Sequence, residues 1–259
     1  MAVRKQTINW DIAISTVAVL LLVYVWASSH IYIFIPWAEM TWRKYKLGWV
    51  VYLGTINLLL VMSFWSFFAV ALTSPGEVSR EYRTDSSERR KHLRLCKKCD
   101  MIKPPRAHHC SHGCGSCILK MDHHCPWVAN CIGFWNHGHF LRYTAYTWLA
   151  ALLTECGIGY RLVPIMPISL SEGLVLIFNG ILLFAVLILL GILLITTIKN
   201  IMENCTTIER LEVSHEKYSS LRNGHEQVLE MVGLTVKAGM GMAVPAPIEL
   251  AAAGTRGWF

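Results

Sequence analysis

Charged residues are scarce in this chain: they make up 16% of its 259 residues, whereas hydrophobic residues make up 54%. The mean hydropathy of +0.40 lies outside the usual range of soluble proteins and indicates a membrane protein. Cysteine is almost absent outside one window, because seven of the nine cysteines fall between Cys96 and Cys131. This distribution argues against disulfides spread through a secreted fold and favours zinc or redox chemistry. No internal repeat and no ATP-binding motif is visible.

Four apolar stretches are long enough to cross a bilayer, which takes about 20 helical residues. They run roughly over residues 12–35, 47–72, 140–163 and 173–198. The first is too long for the apolar core of a cleaved signal, about 7–15 residues, and predicts a retained anchor. Glu155 interrupts the third stretch, and a carboxylate near a helix centre costs about 2.5–3.5 kcal/mol. Glu155 should therefore face protein, either as a packing residue or in an active cavity. The predicted fold is an α-helical integral membrane protein with four transmembrane helices.

The distribution of lysine and arginine predicts the orientation, because cytosolic loops carry the excess of these residues. With four crossings, the N-terminus, the loop of residues 73–139 and the C-terminal tail share one side. That side holds 19 of the 24 basic residues and is predicted to be cytosolic. Arg43, Lys44 and Lys46 oppose this assignment, because they fall in the short loop on the other side. The tail from residue 199 is too broken to span, and Lys237, Pro245 and Pro247 favour disorder or a position on the membrane surface.

The loop between the second and third crossings contains closely spaced metal-ligand types. It reads Cys96-x2-Cys99, then His109-Cys110, Cys114, Cys117, Asp122, His123, His124, Cys125 and Cys131. A tetrahedral zinc site takes four thiolate or imidazole ligands, and paired ligands lie about two to four residues apart. Two such sites would use eight of these ten cysteines and histidines, so a cysteine without metal is compatible with the count. Spacing alone does not choose between His123 and His124. The loop has too little apolar sequence for a core, so metal must supply much of its folding energy.

This segment resembles the cysteine-rich domain of the DHHC protein S-acyltransferases, which are integral membrane palmitoyltransferases. The resemblance is carried by Asp122-His123-His124-Cys125, Lys103-Pro104-Pro105-Arg106, Pro126-Trp127, Asn130-Cys131-Ile132-Gly133, Asn136 and Phe140. Four crossings with this domain in the middle cytosolic loop are also the usual layout of that family. The resemblance therefore implies a small zinc-stabilised cytosolic domain between the second and third helices, and it covers the chain up to about residue 230.

The resemblance also implies the roles of the clustered residues. One structural zinc ion would be held by Cys96, Cys99, His109 and Cys117, and a second by Cys110, Cys114, His124 and Cys131. Cys125 is then the unligated nucleophile, His123 its general base, and Asp122 the acceptor that orients His123. Acyl-CoA is the implied co-substrate.

The implied reaction has two steps in a ping-pong order. Cys125 accepts a long-chain acyl group, such as palmitoyl, from acyl-CoA and passes it to cysteines of membrane-associated proteins. A free cysteine is only a few per cent thiolate near neutral pH, so an adjacent imidazole is needed. The acyl chain would lie among the helices, and Trp127 suits the membrane interface or packing within the zinc domain. Contact of Arg89, Arg90 and Lys91 with acyl-CoA is less favoured than topology signalling or attraction to anionic lipid.

Outer motifs agree with the resemblance in part. Thr206-Thr207-Ile208-Glu209 matches the family's TTxE element, and Asn223 stands where the family often has asparagine. Ser74-Pro75-Gly76 replaces the family's Asp-Pro-Gly, which loses a carboxylate and keeps the turn. Cys110 and Cys114 enclose three residues instead of two. Gly113 is the candidate insertion, since it tolerates positive φ at little cost, and His112 is either a rival ligand or a solvent-exposed histidine.

The predicted organisation has four parts: residues 1–72 with the first two helices, 73–139 with the DHHC domain, 140–198 with the last two helices, and 199–259 as the tail. A catalytically silent zinc-containing scaffold is the main alternative function, and a metal transporter is the weakest. Intact Asp122, His123 and Cys125 favour the enzyme, because a scaffold has no use for them. The expected location is the Golgi, the endoplasmic reticulum or the plasma membrane, with the catalytic domain and both termini cytosolic, and no nucleic-acid partner is expected.

Overall fold

Four long α-helices and a small region of short strands make up the fold. The computed structural model describes residues 2–79, 94–162 and 168–215, and for residues 2–9, 37, 38 and 40–42 it describes the backbone alone. The helices are α1 (Ala2–Ser29), α2 (Ile35–Leu72), α3 (His137–Leu162) and α4 (Leu170–Met202), and a π-helical turn, His30–Phe34, joins α1 to α2. One compact unit covers Met1–Glu212, and a second begins at Val213.

Between α2 and α3 the chain forms three antiparallel pairs of very short strands. They are β1 (Leu95–Cys96), β2 (Met101–Ile102), β3 (His108–His109), β4 (Cys117–Ile118), β5 (His123–Cys125) and β6 (Asn130–Ile132), with a 3₁₀-helix, Pro126–Val128, before β6. Pairing brings His109 opposite Cys117 and His124 opposite Cys131. These hairpins therefore place residues from separate motifs side by side.

Three helices of the described ranges are long and apolar enough to cross a membrane: Trp10–Phe34, Arg43–Leu72 and Leu170–Met202. They confirm three of the four predicted crossings and indicate a membrane protein. Most of their side chains face outwards, as shown by Trp65, Ile181 and Leu189, which are more than 60% exposed. Such a surface suits lipid rather than water. The predicted third crossing is also helical, as α3, but it is less apolar than the others.

The ends of the four helices meet the strand region in an alternating order. Asp11 near the start of α1 contacts His124, and Asn130 contacts the last carbonyl groups of α2. The third helix begins just after β6, and Asn200 near the end of α4 bonds Thr207, which in turn bonds Asp122. Helices α1 and α3 therefore lead away from the strand region, whereas α2 and α4 lead back to it.

Local interactions set several helix ends. Ser169 caps α4, because its hydroxyl accepts a hydrogen bond from the backbone N–H of Glu172. The end of α2 is capped by the Asn130 side chain, whose amide donates to the carbonyls of Val70, Ala71 and Thr73. Helix C-termini leave such carbonyls without partners unless a side chain or water supplies a donor. The DHHC-region strand β6 thus fixes where the second helix stops.

The apolar core is divided between the helices and their junction with the strands. One cluster lies among the helices and includes Phe34, Trp49, Ile158 and Leu176. A second joins α2 and α3 to the strand region and is formed by Phe67, Val70, Cys125, Val128, Ile132, Phe140 and Tyr143. The two clusters within the strand region consist largely of cysteines with Met101, Ile118 and Met121. This agrees with the expectation that the region lacks an adequate apolar core of its own.

The first connecting segment differs from the one expected, and the expectations about the tail lie outside the described residues. Arg43, Lys44 and Lys46 were expected in a loop between the first two crossings, but they lie within α2. The helix is kinked there, since Tyr45 has non-helical dihedral angles (φ −126°, ψ 26°), and this kink takes the place of a loop. Asn223 and the tail residues Lys237, Pro245 and Pro247 lie outside the described residues.

Candidate active site and metal centres

The first group of metal-ligand side chains consists of Cys96, Cys99, His109 and Cys117, whose ligand atoms all lie within 4.8 Å of one another. Cys96 and Cys99 come from the β1–β2 hairpin, and His109 and Cys117 are opposite each other on β3 and β4. His109 Nδ1 lies 3.5 Å from Cys96 Sγ and 3.2 Å from Cys99 Sγ. The Sγ atoms of Cys99 and Cys117 are 3.9 Å apart.

The second group consists of Cys110, Cys114, His124 and Cys131, also within 4.8 Å of one another. His124 and Cys131 are opposite each other on β5 and β6. His124 Nδ1 lies 3.7 Å from Cys110 Sγ, 3.9 Å from Cys114 Sγ and 3.5 Å from Cys131 Sγ. The structure thus brings together the same two sets of four residues that the resemblance implied.

Both groups fit a tetrahedral zinc ion. Zinc–sulfur and zinc–nitrogen bonds of about 2.3 and 2.0–2.1 Å put tetrahedral ligands about 3.8 Å apart for two sulfurs and about 3.6 Å apart for sulfur and nitrogen. The observed separations scatter around these values. All nine cysteines are free thiols, so no disulfide competes for the ligands. Three sulfurs and one imidazole nitrogen form a donor set that suits structural zinc.

The turn from Cys110 to Cys114 contains His112 and Gly113, the two residues whose roles the sequence left open. His112 is exposed and stacks on the His124 ring, with centroids 5.7 Å apart, and it is not part of the second group. Gly113 does not use the positive φ that a glycine tolerates, whereas Gly115, just after this turn, has a φ of 59°. Gly113 is buried, and what it provides is space: a Cβ there would lie 2.8 Å from Asp11 Oδ2 and 3.2 Å from His124 Cε1.

The strand β5 separates two faces of the site. Successive side chains of a strand point to opposite faces, so His124 faces the second metal group while His123 and Cys125 face the other way. Cys125 belongs to neither metal group and is only 6% exposed. It packs in the junction cluster with Phe67, Phe140 and other apolar residues. A thiol free of metal therefore lies at the boundary between the strand region and the helices.

His123 is held between Asp122 and Cys125. His123 Nδ1 lies 2.7 Å from Asp122 Oδ2, and its ring packs edge-on against Phe140. Burial alone would lower the pKa of His123, but hydrogen bonds with Asp122 and Cys125 outweigh burial and raise this pKa to about 9. Nδ1 is used by Asp122, which leaves Nε2 for the Cys125 thiol. Such an arrangement could provide a nucleophile, a base and a residue that orients the base.

Asp122 is kept ionised by several donors. Burial alone would raise its pKa, but hydrogen bonds from His123 and Thr207 outweigh burial and lower the pKa to about 2. The Thr207 backbone N–H donates to Asp122 Oδ1 over 2.7 Å, and the Thr207 hydroxyl donates to Oδ2 over 3.0 Å. Asp122 itself is 4% exposed. The carboxylate therefore has a fixed position and a fixed charge beside His123.

The Thr206–Glu209 element closes over this site from the end of α4. Thr206 and Glu209 cap the helical segment that begins at Thr207, because the Thr206 N–H donates to Glu209 Oε2 and the Glu209 N–H donates to Thr206 Oγ1. Arg106 donates to both Glu209 oxygens, over 2.6 and 2.8 Å. This pair raises the pKa of Arg106 and lowers that of Glu209. The Thr206–Glu209 element thus contacts the Asp122 carboxylate through Thr207 and the Lys103–Arg106 motif through Glu209.

Other residues singled out in the sequence are placed as follows. Trp127, two residues after Cys125, is 56% exposed, and Gly76 has a φ of 98°, which agrees with the turn expected after Ser74 and Pro75. Cys205 is half-buried, with its thiol 3.4 Å from the Thr206 carbonyl. Arg89, Arg90 and Lys91 lie outside the described residues.

Two contact residues were missed in the sequence. Asp11 lies 3.0 Å from His124 Nε2, and its signal was a lone carboxylate at the start of a long apolar stretch. Asn200 was missed because an amide near a helix end gives no signal by itself; it donates to Thr207 Oγ1 and accepts from Arg210. Both residues join helices of the bundle to the site.

Comparison with known proteins identifies the region of the site. The family model "DHHC palmitoyltransferase" matches residues 89–214. Probable protein S-acyltransferase 13 of Arabidopsis thaliana is 40% identical over 127 residues, which are 42% of this chain and 40% of the relative. Palmitoyltransferase ZDHHC15 of Xenopus laevis is 49% identical over 80 residues (31% and 23%), and its Homo sapiens counterpart is 58% identical over 60 residues (23% and 18%).

The alignments thus span at most 40% of the length of these three relatives, and they rest on a stretch rich in specific motifs. The same stretch contains both metal groups and the buried Asp122, His123 and Cys125. Residues 89–214, slightly less than half of the chain, thus match the DHHC palmitoyltransferase family.

Proposed function

We propose that this chain is a protein S-acyltransferase that takes a long-chain acyl group from acyl-CoA onto Cys125 and passes it to cysteines of other proteins. The observation that supports this most directly is the position of Cys125. It is buried, it lies outside both metal groups, and it points to the same face of β5 as His123, whose Nδ1 is 2.7 Å from the Asp122 carboxylate. The names of the relatives, S-acyltransferase and palmitoyltransferase, agree with this chemistry.

In the first step, the Cys125 thiolate attacks the carbonyl carbon of the acyl-CoA thioester. The bond between that carbon and the CoA sulfur breaks, and the CoA thiolate takes the proton held by His123. Because the pKa of His123 is about 9, the imidazolium is available at neutral pH to stabilise the thiolate and then to donate this proton. The products are CoA thiol, acylated Cys125 and neutral His123.

In the second step, His123 takes the proton of the substrate cysteine. The resulting thiolate attacks the acyl carbon on Cys125, and Cys125 leaves as a thiolate beside the newly formed imidazolium. One thioester replaces another in each step, so the enzyme must supply position and an activated nucleophile rather than an energy source. Asp122 holds the tautomer and orientation of His123 through both steps.

We further propose that α3 is the fourth membrane crossing. It starts at the strand region, and α4, an apolar helix of membrane-spanning length, returns to the same region. If α4 crosses the bilayer, α3 must cover the same distance in the opposite direction. Its 26 residues are about 39 Å long at 1.5 Å per residue, and its buried threonines bond backbone carbonyls of the same helix. Polar side chains that face protein are compatible with a crossing.

This arrangement gives the proposed division of the chain and its orientation. Residues 1–72 and 140–198 would form the helical bundle, 73–139 the DHHC domain and 199–259 the tail, with the domain and both termini in the cytosol. An acyl chain gains about 0.8 kcal/mol per buried CH₂, so it would lie among the helices while its thioester stays at Cys125. Membrane-associated proteins with cytosolic cysteines are the proposed substrates.

The two groups of four ligands are proposed to hold one structural zinc ion each. Zinc would supply cross-links that replace the missing apolar core of the strand region. The chain's own residues then do the chemistry, since Cys125, His123 and Asp122 lie outside both groups. Nothing favours the silent scaffold, because it leaves the Asp122–His123–Cys125 arrangement without a use.

The test is acylation of the purified full-length chain. Incubation with labelled palmitoyl-CoA should give a hydroxylamine-labile adduct in the wild type and none in Cys125→Ser. Cys205→Ser is the matched control, since Cys205 is the half-buried cysteine after α4 and should not affect the adduct on Cys125. A zinc content of two ions per chain in wild type and Cys125→Ser is expected. A wild type that holds two zinc ions and never labels would contradict the proposed activity.

A further inference from the structure

We infer that Asp11, acting through His124, is a positioning residue of the second metal group, and that Gly113 leaves the space this contact requires. The inference rests on the zinc centres proposed above. It assigns a function to a residue of α1 that is 113 positions away from its partner along the chain.

The geometry of the contact is that of a carboxylate supporting a histidine ligand. His124 Nδ1 faces the three sulfurs of the second group, while its Nε2 lies 3.0 Å from Asp11 Oδ2. Both side chains are buried, with 9% of His124 and 14% of Asp11 exposed. A carboxylate that accepts the Nε2–H bond keeps the hydrogen on Nε2 and leaves the Nδ1 lone pair free for the metal.

Asp11 also ties the first helix to the strand that holds the nucleophile. His124 lies on β5 between His123 and Cys125, whose side chains face the opposite side of the strand. Helix α1 packs in addition against the 3₁₀-helix that follows Cys125, and Val19 packs against the cluster that contains Cys125. The first helix therefore contacts both faces of β5. Asp11 makes a polar contact with His124 on one face, and Val19 makes an apolar contact with the cluster around Cys125 on the other.

The position of Asp11 in the sequence also supports a role for this residue. It is the single acidic residue between Trp10 and Phe34, the limits of the first apolar span. A carboxylate at the end of an apolar helix is costly without a partner, and residues of this kind commonly have a function. Its Oδ2 faces a metal-ligand histidine rather than lipid.

Gly113 is the second residue that this contact requires. A Cβ at position 113 would come within 2.8 Å of Asp11 Oδ2 and 3.2 Å of His124 Cε1, so one of them would have to move. The backbone of Gly113 has no positive φ, so the cost of an alanine there is steric. Gly113 thus has no side chain at the point where the Asp11 carboxylate approaches His124.

The test measures zinc release from the full-length chain in detergent, with a colorimetric chelator and no acyl-CoA. In Asp11→Ala, one of the two zinc ions should leave about 10–100-fold faster than in the wild type, because such supporting contacts typically change metal affinity by this factor. The other ion should be unaffected. Asp11→Asn keeps the shape and should show a smaller change in the same ion. Glu212→Ala is the matched control, since Glu212 faces His108, a histidine outside both metal groups.

A double-mutant cycle separates positioning from general loss of stability. Gly113→Ala should also loosen one ion, and the double variant should be no worse than the more severe single variant, since both changes break the same contact. Asp11 variants that release both ions at wild-type rates, or both ions equally fast, would overturn the inference. A wild type without two zinc ions would instead contradict the proposed metal centres. Cobalt-substituted protein provides a second readout, because only the absorption of the second site should change in Asp11→Asn.

Discussion

The charge of Asp122 should control the reactivity of Cys125, and Asp122→Asn tests this directly. The substitution keeps the size of the side chain and an oxygen that accepts from the Thr207 N–H. It removes the negative charge 2.7 Å from His123 Nδ1. Burial favours neutral His123, so without this charge the pKa of His123 should fall towards or below its ordinary value of 6.5.

The magnitude follows from the pKa of His123. The difference between 6.5 and about 9 corresponds to about 3 kcal/mol, since each factor of ten in proton affinity is about 1.4 kcal/mol. Because the folded-state pKa is raised, this contribution to stability is fully present below pH 6.5 and is lost as pH rises through 9. For Asp122, whose pKa is lowered to about 2, the contribution is present above 3.8 and is lost as pH falls through 2.

The assay is alkylation of Cys125 by iodoacetamide in the zinc-loaded chain, followed by mass spectrometry of the peptide between pH 5 and 9. A thiol without an imidazolium beside it is only a few per cent thiolate at neutral pH, so the variant should react about tenfold more slowly at pH 7. Its rate should recover as pH rises towards 9. The peptide containing Cys205 serves as an internal control and should react alike in both proteins.

Two outcomes would refute this reasoning. If Asp122→Asn and the wild type have superimposable pH profiles, the carboxylate does not stabilise the imidazolium. If His123→Ala leaves the profile unchanged as well, His123 is not the proton acceptor of Cys125. Equal zinc content in all three proteins is required, since loss of metal would expose the strand and change reactivity for another reason.

Further predictions concern the contacts around the site. Thr207→Val removes the hydroxyl bond to Asp122 and keeps the shape, so the free energy of unfolding should fall by about 1–2 kcal/mol in thermal unfolding. Asn130→Ala removes the donor to three carbonyls, and hydrogen exchange should rise at the C-terminal end of α2. Glu209→Gln breaks a partly exposed ion pair with Arg106 and should cost about 0.5–1 kcal/mol, less at high salt; because the Glu209 pKa is lowered, this contribution is present above pH 4.5 and is lost at lower pH. Removal of zinc by a chelator should unfold the strand region and make the six cysteines of the two metal groups reactive towards iodoacetamide.

The approximate positions of the long apolar helices could be predicted from the sequence, whereas the residues at which these helices end could not. Apolar runs of about 20 residues or more identify spans without knowledge of neighbours, and three predicted spans agree with the helices found. The end of α2 depends on Asn130, about sixty positions away, and the break between the first two apolar spans includes a kink at Tyr45 inside α2. Such ends are set by contacts that no local pattern contains.

The grouping of the eight ligands could be stated in advance only through the resemblance. Spacing did not distinguish His123 from His124, because they are adjacent in the sequence and a zinc site accepts either spacing. Pairing of β5 with β6 separates them, since it puts His124 opposite Cys131 and turns His123 to the other face. The sequence showed that Gly113 could adopt a positive φ, whereas the structure shows that Asp11 and His124 leave no room for a Cβ there.

By itself, the sequence determined that this is a membrane protein with a cysteine-rich segment suited to zinc and a family signature around Cys125. Those properties depend on composition and on spacing within a few residues, which a linear sequence contains. Only the tertiary structure decided that Thr207, just after α4, bonds Asp122, that Asp11 of α1 contacts His124, and that Cys125 lies buried at the junction of strands and helices. The two hydrogen-bonded pairs are 85 and 113 positions apart, and only packing of the helices brings them within hydrogen-bonding distance.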